Sequence, residues 1–106
     1  MKYYAVDEMD VTERGWARDY VANVTPMVER RGGRYLARTT TVAKIEGERS
    51  APQLFLIIEW PSKDVADEFY DSDEYRPYRE ARQAGSRNEF FLVAGEDVNG
   101  VAQIDG

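Results

Sequence analysis

The chain has neither cysteine nor histidine among its 106 residues. Without thiols there can be no disulfide, no cysteine-ligated iron–sulfur cluster and no thiolate nucleophile, and the redox compartment is left unmarked. Without imidazole there is no Ser-His-Asp triad, no histidine-ligated haem and no ordinary zinc site. Acid–base work falls to Asp, Glu, Tyr or Lys. A carboxylate-only Mg²⁺ or Ca²⁺ site remains chemically open, but no calcium-loop spacing occurs, and no metal ligand is assigned. A basic surplus is also missing: 14 Lys and Arg stand against 20 Asp and Glu, a net charge of -6. That argues against nucleic acid and anionic membrane as partners. No apolar run approaches membrane-spanning length. Met1-Lys2-Tyr3-Tyr4 leads into strand-like sequence without a signal-peptide core, so the expected location is the cytoplasm.

What is present suits one soluble domain, 42% hydrophobic and 32% charged. Residues 2–11 read as a first strand. Asp10 or Thr12 is placed to cap a helix whose apolar stripe is Trp16, Tyr20, Val21, Val24, Met27 and Val28. Thr25-Pro26 predicts a kink or a fresh start in that helix, and Gly32-Gly33 its end. Residues 34–44 read as strand two and 53–60 as strand three, which Pro61 stops. Ser62 caps a helix over 63–70. Asp71 or Ser72 caps another over 73–84, with Pro77 near its first turn. Residues 88–94 form strand four. The order β-α-β-β-α-β predicts an α+β, ferredoxin-like antiparallel sheet with its helices on one face. The domain is expected over 1–95, followed by an acidic tail over 96–106.

Leu54-Phe55-Leu56-Ile57-Ile58 lacks the polar alternation of a sheet covered on one face, and Phe90-Phe91-Leu92-Val93 repeats the pattern. Helices can cover only one face, so the other is expected to meet a second copy, forming a homodimer. Folding of the tail over the sheet is the alternative.

Three segments carry a resemblance. Asp10-Val11-Thr12 closes strand one, Arg31-Gly32-Gly33-Arg34-Tyr35-Leu36-Ala37-Arg38 enters strand two, and Glu59-Trp60-Pro61-Ser62 closes strand three. With Tyr70-Asp71-Ser72-Asp73-Glu74-Tyr75 and a following Arg82, residues 3–95 resemble the domain of unknown function 1330 family. That family lies in the dimeric α/β-barrel superfamily that also holds the antibiotic-biosynthesis monooxygenases. The resemblance implies a homodimer with a pocket between sheet and helices, and little chemistry. Thr39-Thr40 stand where family members usually have glycines, and Trp60 where they often have Phe.

The candidate catalytic residues are Arg82, Tyr75, Tyr70 and Glu59. Arg82 could clamp a carboxylate or enolate, or else form a salt bridge with Glu74, Asp71 or Glu59. Tyr70 and Tyr75 could donate to an oxyanion, or simply pack. One strand carboxylate among Asp7, Glu8 and Glu59 could serve as base if buried, or instead pair with an arginine. Candidate ligand-binding residues are Ser72, which otherwise caps a helix, and Arg38. Trp60, Trp16 and Asn23 join them by analogy with cofactor-free monooxygenases. Gly32-Gly33 follows a helix rather than preceding one, so it is no phosphate loop. Two readings result. One is a small-molecule-binding homodimer that works without metal or organic cofactor as an enzyme of monooxygenase, cyclase or isomerase type on an aromatic or polyketide-like substrate. The other is a non-catalytic dimeric binding or accessory protein.

Overall fold

The structure is a computed structural model that describes residues 1–101. Its elements are β1 (Tyr3–Val11), α1 (Ala17–Arg30), β2 (Arg34–Thr39), β3 (Leu54–Trp60), α2 (Lys63–Asp71), α3 (Arg76–Gly85), β4 (Ser86–Ala94) and a short α4 (Val98–Val101). The four strands make one antiparallel sheet in the order β2-β3-β1-β4. The central positions of β1 and β3 match the ferredoxin-like expectation.

Strand parity decides what reaches the core, because successive side chains point to opposite faces. Ala5, Asp7 and Met9 of β1 face the same way as Leu56, Ile58 and Trp60 of β3, and all six are buried. Val24, Met27 and Val28 of α1, Ala66 and Phe69 of α2, and Tyr75 close over this face. Burying each large apolar side chain contributes about 1.5–3 kcal/mol, so this layer supplies most of the driving force. On the other face, Tyr4, Val6, Phe55 and Ile57 are half-buried, and Phe91 and Val93 are exposed. The unbroken apolar run of β3 thus divides between a helix-covered face and an open one.

Local chemistry sets the element ends. Ser62 Oγ accepts from the Val65 amide (3.2 Å), as a helix cap should. Ser72 separates α2 from α3. Its hydroxyl donates to the Phe69 carbonyl (2.7 Å) and accepts from the Tyr75 amide (3.2 Å). Helix α1 ends in a Schellman motif. Gly33 N–H donates to Val28 O, Gly32 N–H donates to Glu29 O, and Gly32 takes φ +83°.

Three expectations need correction. Neither Asp10 nor Thr12 caps α1: Asp10 accepts from the Gln53 amide, and a loop over residues 12–16 intervenes before the helix starts at Ala17. Pro26 does not divide α1, which runs unbroken from Ala17 to Arg30; the Thr25 hydroxyl donates to the Val21 carbonyl (2.6 Å). Strand β2 stops at Thr39, so β-prone Thr40-Thr41-Val42 lies outside the sheet, where β3, beginning at Leu54, offers no partner.

Candidate functional site

A cavity of about 380 Å³ lies between the sheet and the helices. That is within the range of small-molecule sites, roughly 300–1,000 Å³. Its walls are mostly apolar and aromatic. Val24 and Val28 come from α1, Leu56, Ile58 and Trp60 from β3, Phe69 from α2, and Phe90 and Leu92 from β4. Trp16 and Trp60 both line it, and they are the chain's two tryptophans.

Four tyrosines also line it, Tyr20, Tyr35, Tyr70 and Tyr75, together with Arg38, Asp67 and Asp71. Tyr20 on α1 and Tyr75 at the start of α3 face each other with hydroxyls 2.5 Å apart, and both line the cavity. Behind them is Arg82 on α3, 2% exposed, whose Nε donates to the Tyr75 hydroxyl (3.4 Å). The Arg82 guanidinium also lies over the Phe90 ring, 5.2 Å from its centroid. Burial alone would lower the Arg82 pKa, but Tyr75, Tyr20 and Asp7 outweigh it and hold the guanidinium firmly charged. Burial, and then the neighbouring Tyr75, push the Tyr20 phenol well above its usual range.

Asp7 completes this buried set. It is fully buried on β1, and neither carboxylate oxygen has a hydrogen-bond partner. Burial raises its pKa from 3.8 to about 6, Arg82 pulls it down, and Glu8 adds a smaller upward push. Arg82 Nη2 and Asn88 Oδ1 are likewise buried without partners. Asn88 is opposite Met9, two residues along β1 from Asp7, and donates to Ser86 Oγ (2.8 Å). Asp7 and Arg82 do not line the cavity; Tyr75, which touches both the cavity and Arg82, joins the two regions.

The structure therefore gathers some of the expected residues and separates others. Arg82 and Tyr75 come together, with Trp16, Trp60 and Tyr70 on the cavity wall. Tyr70 is 37% exposed, lies under the Arg79 guanidinium and meets the Phe90 ring edge-to-face, which places it at the rim. Arg38 also lines the cavity; it lies 4.1 Å over the Tyr35 ring and donates to Thr25 Oγ1 (2.7 Å). Burial raises the Tyr35 phenol pKa, and Arg38 opposes that rise.

Glu59 does not belong to this group. It pairs with Tyr4 and Arg34 across the sheet, between the helix-facing Ile58 and Trp60, so it points to the open face. There Lys2 (3.0 Å) and Arg34 (3.8 Å) neutralise it, and the Lys2 hydrogen bond holds its pKa below the usual range. Glu8 shares that face and pairs with Arg49. Asn23 is exposed, does not line the cavity, and donates to the Asp19 carbonyl. Ser72 is occupied as a cap. None of the expected salt-bridge partners reaches Arg82. Glu74 is taken by Arg30 and Arg31, and Glu59 by Lys2 and Arg34.

Tyr20 and Asn88 were not singled out as site residues from the sequence. Parity along β1 could have selected Asp7, which sits between Ala5 and Met9 on the core-facing side. Among the described residues, no group of three or more Asp or Glu is placed to hold a metal ion. No described helix is long and apolar enough to cross a membrane.

The topology and the cavity under the helices define an α+β, ferredoxin-like fold. Solved structures agree in fold. A protein of unknown function from Rhodopseudomonas palustris, RPA0582, superposes with TM-score 0.73 at 18% identity, covering 91% of this chain and 83% of that one. SnoaB, a cofactor-independent oxygenase from Streptomyces nogalater, gives TM-score 0.65 at 15% identity over 91% and 94%. A protein described as an antibiotic biosynthesis monooxygenase gives TM-score 0.52 at 17% identity over 92% and 100%. No curated protein matches the chain in sequence. The family model described as domain of unknown function, DUF1330, matches residues 2–96, and the chain belongs to that family.

Proposed function

We propose that the protein is a homodimeric small-molecule-binding protein that acts, without metal or organic cofactor, on an aromatic or polyketide-like compound bearing an enolic or phenolic oxygen. The observation that carries this reading is the apolar 380 Å³ cavity whose polar lining includes the Tyr20–Tyr75 hydroxyl pair backed by buried Arg82. An apolar ring system matches the walls, and one ligand oxygen matches the hydroxyls. As that oxygen gains negative charge, phenol donors and a fixed guanidinium in a dry site stabilise it far more than water-exposed donors would. That is the requirement for enolisation, for cyclisation through an enolate, and for substrate-assisted oxygenation. SnoaB, described as a cofactor-independent oxygenase, shares the fold and so favours the last of these, as analogy only.

The open sheet face supports the homodimer. Tyr4, Val6, Phe55, Ile57, Phe91 and Val93 form a contiguous apolar surface across β3, β1 and β4, with Phe91 55% exposed. A second copy laid against this face would bury it and leave each cavity under its own helices. Sedimentation at micromolar concentration should give a dimer, and Phe91→Asp a monomer; a monomeric parent protein would refute the assignment.

Ligand binding is readable without labels, because both tryptophans line the cavity. Titration with a naphthol or a hydroxyanthrone should quench tryptophan fluorescence, and Tyr75→Phe should weaken binding about tenfold, the equivalent of one hydrogen bond to a charged group. Oxygen uptake with the hydroxyanthrone then separates an enzyme from a non-catalytic binding protein. Absence of binding by every such compound at millimolar concentration would remove the reading.

A further inference from the structure

Asp7 does not line the cavity, and no group in the fold hydrogen-bonds or salt-bridges its carboxylate. It lies in the buried layer with both oxygens unpartnered; the residue opposite it on β4 is Phe90, and buried Arg82, which lies over the Phe90 ring, keeps one unpartnered nitrogen. The groups acting on this pair come from several elements. They are Arg82 on α3, Tyr75 at its start, Tyr20 on α1, and Glu8 on the opposite face of β1. Arg82 is the cation of that set, while Asp7 and the oxygen of an anionic ligand at Tyr75 would both be anions. Two like charges sharing one buried counter-charge do not both stay ionised.

We propose that Asp7 is a placeholder for the ligand's negative charge. Arg82 serves Asp7 in the unliganded protein and the ligand's enolate or phenolate oxygen in the complex, so the anion binds together with one proton that ends on Asp7. The proposal rests on the function assigned above and names the ligand class that the site prefers. The balance is simple. A phenolate taken from solution binds with uptake of one proton, and the carboxylate becomes a carboxylic acid. A neutral phenol that ionises in the site passes its own proton to Asp7, with no exchange with solvent. Either way the buried set gains no net charge. The exchange is an equilibrium between protonation states, so direct contact between ligand and Asp7 is not required. Asp7 is therefore a residue that sets specificity and pH response. Tyr75 and Tyr20 are the groups that touch the ligand.

The test uses para-nitrophenolate, at a pH above both its own pKa and that of Asp7, with para-nitroanisole as the uncharged control. Calorimetry in two buffers of different ionisation enthalpy reads the protons exchanged. The intact protein should take up about one proton per phenolate bound, and its affinity should fall about tenfold per pH unit in that range. The Asp7→Asn variant should take up none and should bind with no such pH slope. Anisole should bind both proteins without proton exchange. Phenolate binding to the intact protein without proton uptake overturns the inference and leaves the proposed function standing; that measurement needs no variant. Failure of both phenolate and anisole to bind at millimolar concentration overturns the site itself, and the inference with it.

Discussion

Replacing Asp7 by Asn should make the protein more stable, by an amount that depends on pH. The side chains are nearly the same size, so packing is kept. What changes is the cost of holding a carboxylate in the core. The pKa rises from 3.8 to about 6, which at about 1.4 kcal/mol per pKa unit is a penalty of about 3 kcal/mol. The sign follows from the direction of the rise. The folded state holds the proton more tightly than the unfolded state, so stability falls as pH climbs from 3.8 to about 6. Below that window Asp7 is protonated in both states and costs nothing. Above it the penalty is constant. The variant should therefore match the parent near pH 3.5 and exceed it by about 3 kcal/mol at pH 8, about 13 °C in Tm for a domain of this size. Urea denaturation of both proteins, at equal concentration and across this range, isolates Asp7 because every other titrating group cancels in the difference. A difference that does not vary with pH would refute the argument. So would an Asn variant less stable at pH 8, since that would make the Asp7–Arg82 attraction outweigh the burial of the charge.

Three further outcomes follow from the same geometry. Arg82→Leu at pH 8 should cost about 3–5 kcal/mol by leaving Asp7 buried without a counter-charge, and adding Asp7→Asn should restore much of it; additive losses in the urea-derived double-mutant cycle would deny the coupling. Ser72→Ala should lose about 1 kcal/mol through its cap while leaving naphthol affinity unchanged, and a large affinity loss would return Ser72 to the site. Gly85→Ala should destabilise by about 1–3 kcal/mol and shift tryptophan emission, because a Cβ there would lie 2.3 Å from the Trp16 ring; an unperturbed spectrum would contradict that packing.

Topology was legible because it depends on patterns several residues long. Pro61 and Ser62 mark a strand end and a helix start, Gly32-Gly33 a helix end, and the apolar runs mark strands. The boundary errors came where tertiary pairing overrode propensity. Thr40-Thr41-Val42 is β-prone but has no strand beside it, and Pro26 is tolerated inside α1. The site was half legible. Tyr75 and Arg82 are seven residues apart at the start and last turn of one helix, so helical geometry brings them together. Tyr20 and Asp7 reach them from α1 and β1, and no local spacing encodes that meeting. Glu59 was assigned beside Trp60, yet neighbours on a strand point to opposite faces. Once Trp60 is taken as core-facing, Glu59 is excluded and Asp7, in phase with Ala5 and Met9, takes its place.

That substitution changes what the site can be. A carboxylate on the open face, held by Lys2 and Arg34, is an ordinary solvated ion pair that contributes little. A carboxylate in the core with no hydrogen bond is a standing cost, and an arginine buried next to it does not fully repay that cost. By packing, desolvation and hydrogen bonding, an apolar residue at position 7 would serve the fold better. The features that make Asp7 a poor structural residue are those a charge-exchanging site requires. It must be dry enough for its proton to matter, close enough to Arg82 to compete for it, and free of partners that would fix its protonation. Asp7 meets all three conditions, whereas Glu8 and Glu59, salt-bridged on the other face, meet none.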